Sequence, residues 1–138
     1  MIQDLHSHTY YSFCGADTPE QVVEAAIAGG IEKLGITDHN YGIGYARSDI
    51  FFSHASDITD NYQQALRRYF DHISLLRDKY AGKIEILRGI EVCTLHQGRF
   101  PLPECADISF FDYCLIENLD NENSVTGGDL FAFAKRCG

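Results

Sequence analysis

The 138-residue sequence has no CxxC pair, no basic cluster, no long apolar run and no low-complexity tract or internal repeat. Its five cysteines (Cys14, Cys93, Cys105, Cys114 and Cys137) are odd in number and scattered. That pattern argues against a zinc ribbon and against a disulfide framework, and it suits a reducing cytoplasm. No stretch reaches the roughly 20 apolar residues of a membrane helix, which removes the membrane as a partner. Met1-Ile2-Gln3-Asp4 carries neither the basic start nor the apolar run of a signal peptide. Lys+Arg number 11 against 20 Asp+Glu, a net charge of −9, so nucleic acid is a disfavoured partner. The length also falls short of the about 250 residues of a complete (β/α)8 barrel. What is present is an acidic chain, 45% apolar, with enough material for one core and one domain over residues 1–138.

Periodicity predicts alternating strands and helices. Residues 2–8 form a short strand candidate. Thr18-Pro19-Glu20-Gln21 has the form of a helix start, with Thr as N-cap, Pro at the first position and Gln at the third. Val22, Val23, Ala26 and Ile27 supply its apolar stripe, and Gly29-Gly30 ends it. Leu34-Gly35-Ile36-Thr37 is a second buried strand, followed by a loop over about residues 41–56. A long helix over about residues 57–80 repeats Tyr62, Ala65, Leu66, Tyr69, Ile73, Leu76 and Tyr80 at three- and four-residue spacing. Strands over about 84–95 and 110–116 follow, then a short helix over about 129–137. The order implies an α/β fold with a parallel sheet, in which ligands sit at the carboxyl ends of the strands.

That edge is where the histidines fall. His6-Ser7-His8 closes the first strand, and residues two apart on a strand share a face about 6.6 Å apart at roughly 3.3 Å per residue. Two imidazoles so placed can converge on one metal ion. Thr37-Asp38-His39 closes the second strand, with Asp38 able to orient a ligand from behind. Gly89-Ile90-Glu91 lies in the third, where an acid within an apolar run needs a metal or a partner such as Arg88. Three strand ends thus offer nitrogen and oxygen donors suited to zinc, manganese or iron.

Asp4-Leu5-His6-Ser7-His8-Thr9, Gly35-Ile36-Thr37-Asp38-His39-Asn40 and Gly89-Ile90-Glu91-Val92, in this order and spacing, resemble the polymerase and histidinol phosphatase (PHP) superfamily. The resemblance covers most of the chain. It implies a distorted (β/α)7 barrel with parallel strands, here partial or truncated, and a centre of two or three divalent ions. It also implies hydrolysis of phosphate esters, with a small phosphorylated substrate. Carried over by position, His6, His8, His39 and Glu91 are the implied metal ligands, with Asp38, His39 and Glu91 as the catalytic set. Cys14, before Gly15, falls where the family has another ligand, and is either a thiolate ligand or an unligated thiol.

Two departures stand out. The fourth strand region, Phe111-Asp112-Tyr113-Cys114-Leu115-Ile116-Glu117-Asn118, has no histidine where the family has one, leaving Glu117 or Asn118 as oxygen substitutes. The family's late Asp-x-His motif is absent, which implies roughly half a barrel. The leading expectation is a metal-dependent phosphoesterase, and the alternative is a truncated metal-binding or interaction domain without turnover. Arg47 and His54 are candidate substrate contacts in the loop after the second strand. His72, His96 and Arg99 are expected as ordinary helix or loop residues, and Cys93 as a small core residue. A half-barrel leaves sheet edges open, so self-association is expected.

Overall fold

A computed structural model describes residues 1–43, 59–94, 106–124, 126–129, 131–132 and 135. Its elements are β1 (Gln3–Ser7), α1 (Pro19–Ala28), β2 (Lys33–Ile36), α2 (Thr59–Lys79), β3 (Glu85–Cys93) and β4 (Tyr113–Glu117). The four strands pair in parallel in the order β1-β2-β3-β4 and curl into a half-barrel. The parallel α/β sheet is the one expected from the strand-and-helix alternation, and the half-barrel is the partial barrel that the family resemblance implies. Between β3 and β4 the described residues, 94 and 106–112, contain no helix. Of the short helix expected over 129–137, Phe131, Ala132 and Lys135 are helical. No helix among the described residues is long and apolar enough to cross a membrane.

Local chemistry explains the element boundaries. The Thr18 hydroxyl accepts from the Gln21 amide at 3.2 Å, and the Gln21 side chain accepts from the Thr18 amide at 2.8 Å. This capping box satisfies two of the free amides at the start of α1. The helix ends where Gly29 N–H returns to Ala25 O and Gly30 takes φ 79°, a left-handed conformation that favours glycine. In α2 the seven-residue stripe read from the sequence is buried throughout, with Leu66, Tyr69 and Ile73 fully inaccessible. These side chains meet Val23 and Ala26 of α1 and Leu34, Ile36, Ile86 and Ile90 of the sheet in one core. The core therefore lies between the helices and the convex face of the sheet.

The concave face is built differently. Tyr113 enters from β4, crosses β3 and β2, and its hydroxyl donates to Leu5 O on β1 at 2.6 Å. A Cβ at Gly35 would overlap the Tyr113 hydroxyl, and one at Gly89 would come within 2.9 Å of Tyr113 Cε1. Glycine at these two strand positions leaves the space in which one phenol ring braces all four strands. The brace forms a floor beneath the carboxyl edge, where the candidate ligands gather.

Candidate metal centre

β1 and β2 pair as Asp4↔Leu34 and then Ser7↔Ile36, so three steps on β1 answer two on β2. Such a bulge re-aims the side chains beside it. His6 therefore does not simply share a flat strand face with His8, which lies just beyond the strand end at Ser7. The two rings nevertheless meet, with their Nε2 atoms 3.1 Å apart. Glu91 comes up from β3 and places Oε2 at 3.2 Å from His6 Nε2, 2.8 Å from His8 Nε2 and 3.3 Å from His39 Nδ1. His39 is fixed by the continuing ladder: Glu91 N–H donates to Asp38 O, and Asn40 N–H donates to Glu91 O.

Three imidazole nitrogens crowd one carboxylate oxygen, and two of them also face each other. A neutral imidazole has a single N–H, so some of these nitrogens must face their neighbours with lone pairs. His39 Nδ1 is buried and makes no hydrogen bond. An orphaned buried nitrogen, 3.3 Å from one carboxylate and 3.9 Å from the Glu117 Oε1 atom, is placed to serve as a ligand to a cation. Burial pushes the pKa of His39 down to about 4, against the pull of Glu91, so at neutral pH the ring is uncharged and able to donate a lone pair. The donor set fits a divalent ion by chemistry as well as by position. Three groups of three donors lie within 4.8 Å of one another: His6, His8 and Glu91; His8, Cys14 and His39; and His39, Glu91 and Glu117.

The sequence-derived residues are placed as follows. His6, His8, His39 and Glu91 converge, and Cys14 Sγ lies 2.9 Å from His8 Nδ1. Asp38 is fully buried and contributes indirectly. It accepts from Thr9 N–H (2.7 Å), Thr9 Oγ1 (2.8 Å) and Ser12 Oγ (2.6 Å). Ser12 Oγ in turn accepts from His39 N–H at 2.9 Å. Asp38 thus pins the loop that carries Cys14 and follows His8. Burial raises its pKa, and the bonds from Ser12 and Thr9 oppose the shift. Arg47, His54, His96 and Arg99 lie outside the described residues.

Several features were not read from the sequence. Arg88, weighed as a partner for Glu91, instead grips Asp112 through NH2 (2.7 Å) and Nε (2.9 Å), because alternate strand residues face opposite sides of the sheet. Glu117, named only as an oxygen substitute, stands at the end of β4 facing His39; the Tyr113, Leu115, Glu117 alternation was the available signal. Burial and the neighbouring Glu91 raise its pKa, while a hydrogen bond from the Cys93 thiol lowers it. Cys93 is accordingly a buried partner of a site carboxylate as well as a small core residue. Tyr41 and Phe13 stack near-parallel on His39, at centroid distances of 4.6 and 5.4 Å. His72 packs between elements: its Nε2 donates to Glu20 at 2.7 Å, and Nδ1 lies 2.8 Å from the Tyr11 hydroxyl. A separate groove of about 640 Å³, lined in part by Arg77, Lys83, Glu85 and Asp112, shares no residue with the histidine cluster.

Comparison with known proteins adds the following. The family model described as PHP domain matches residues 4–124. An error-prone DNA polymerase of Nocardia farcinica (strain IFM 10152) is 44% identical over 45 residues, which is 32% of this chain. The match spans 4% of that polymerase's length. No solved structure matches.

Proposed function

The chain belongs to the PHP domain family, and from that premise we propose that it is a metal-dependent phosphoesterase, histidinol-phosphatase-like, acting on a small phosphorylated substrate. One observation carries this reading: three imidazoles meet a single Glu91 oxygen at the carboxyl edge of a parallel sheet, beside an orphaned buried His39 nitrogen. His6, His8, Cys14, His39 and Glu91 would hold two or three divalent ions, with zinc, manganese and iron all suited to these donors. Ions bound there supply positive charge to phosphate oxygens and lower the pKa of a water toward neutrality.

The chain's own residues make the rest of the site. Glu91 contributes the negative charge on which the histidines converge. His39 offers Nδ1 at neutral pH without first losing a proton. Asp38, through Thr9 and Ser12, holds the loop that positions Cys14. Arg47 and His54 are the proposed contacts to the substrate phosphate. The reducing cytoplasm is the proposed compartment, in keeping with an odd number of scattered cysteines and no CxxC pair.

The test combines metal analysis of the purified chain with a panel of phosphate mono- and diesters. At least one ester should be hydrolysed only with added divalent ion, and His8→Ala should abolish turnover. A chain that binds no divalent ion defeats the proposal. A second reading, a metal-binding or interaction domain without turnover, draws support from the matched relative being a polymerase of which this region is a small part. Metal binding without hydrolysis of any ester would favour it.

A further inference from the structure

The donors of the cluster are of unlike softness, and they are not mixed at random. His8 stands between two groups, with Nδ1 at 2.9 Å from Cys14 Sγ and Nε2 at 2.8 Å from Glu91 Oε2. On the first side the donors are sulfur and imidazole nitrogen, in the group His8, Cys14 and His39. On the second side two carboxylates, Glu91 and Glu117, flank His39 Nδ1 at 3.3 and 3.9 Å. That nitrogen is buried, makes no hydrogen bond, and belongs to a side chain only 9% exposed, so the carboxylate side has a position that nothing in the described protein fills. Two carboxylates brought together around such a nitrogen repel each other, and a cation bound between them would offset that repulsion. Thiolate favours soft and borderline ions, whereas carboxylate oxygen suits hard ones.

We propose that the cluster comprises two cation sites of different selectivity, divided by the His8 ring. The site at Cys14 takes a thiophilic ion such as zinc or cobalt, and the site at Glu91 and Glu117 takes an oxygen-preferring ion such as manganese. The inference rests on the metal-dependent reading given above and deepens it by assigning a class of ion to each side. It makes Cys14 the selectivity determinant of one site and Glu117 that of the other.

The test uses the full chain with cobalt(II) and manganese(II), added singly and together. Cobalt should produce a near-ultraviolet sulfur-to-cobalt charge-transfer band that excess manganese does not remove. Manganese, followed by the loss of its free-ion paramagnetic resonance signal, should still bind in cobalt-loaded protein. Cys14→Ser should abolish the band and spare manganese binding. Glu117→Gln should weaken manganese binding by roughly tenfold or more and leave the band in place. Cys93→Ala, which removes the other thiol near the carboxylates, should keep the band. A band that survives Cys14→Ser, or cobalt that displaces manganese one for one, would overturn the two-site division while leaving the metal-dependent reading intact. Failure to bind either ion would overturn both readings together.

Discussion

At the scale of the residue, charge and hydrogen-bond supply decide what each side chain does. Glu91 Oε2 lies within 3.3 Å of three imidazoles, so its charge matters more than its shape. Glu91→Gln should cut divalent-ion affinity by more than the roughly 10–100-fold that loss of a supporting partner costs, with circular dichroism unchanged. Titration calorimetry reads the first and far-ultraviolet spectra the second. Asp38 is the opposite case, a fully buried carboxylate whose donors are all protein groups. Asp38→Asn places an amide N–H against donors that have no other acceptor. The expected loss of stability is about 2–3 kcal/mol, measured as a lower urea midpoint.

At the scale of the element, strands communicate through side chains that cross them. Tyr113 fits because Gly35 and Gly89 leave its ring space, so Gly89→Ala should destabilise by about 1–3 kcal/mol through overpacking. The same substitution made with Tyr113→Ala should cost clearly less than the sum of the two single changes. Strict additivity in that cycle would mean that the ring does not occupy this space. β3 and the start of β4 are tied by Arg88 and Asp112. Hydrogen bonds from Arg88 hold the Asp112 carboxyl below the usual carboxylate range. The folded state therefore binds this proton less tightly than the unfolded state. The stabilisation is whole above a pH of about 4 and is lost as pH falls through the lower folded value. The penalty of Asp112→Asn, measured by unfolding at pH 7, should accordingly shrink toward zero when the measurement is repeated in strong acid.

At the scale of the whole molecule, the helices pack on the convex face and leave the concave face to polar chemistry. Among the described residues, the core between helices and sheet draws on α1, α2, β2 and β3. The candidate metal-binding cluster sits beyond it, on strand ends and one loop, so ions bound there should tighten the carboxyl edge rather than create the fold. A divalent ion at about 100 times its dissociation constant should add about 2.7 kcal/mol per site to unfolding free energy, and a chelator should reverse the gain. Thermal melts with and without ion read this directly. A chain that unfolded entirely on chelation would show that the core depends on the cluster. β1 and β4 stand at the two ends of the sheet, and Ile2 and Ile116 are exposed beside them. Self-association through these edges is the expected partnering, and a sedimentation coefficient independent of concentration would count against it.

Much of this was legible in the sequence because it is local. The 3.6-residue stripe of α2 dictates which face is buried, and the Thr18 and Gln21 spacing dictates where α1 begins, whatever the rest of the chain does. His6, His8 and His39 were legible as candidate ligands for the same reason, since each lies at or just beyond the carboxyl end of a strand. What needed the tertiary structure is every choice among residues far apart in the chain. The Tyr113 hydroxyl reaches a carbonyl 108 positions away, and Glu91 reaches a histidine 85 positions away. Arg88 turned to Asp112 and away from Glu91, and Glu117 joined His39, because strand order and parallel register bring those positions together. Local sequence carries the propensity and the donor chemistry of each side chain. Only the parallel register of four curved strands determines which of them share a space small enough for an ion.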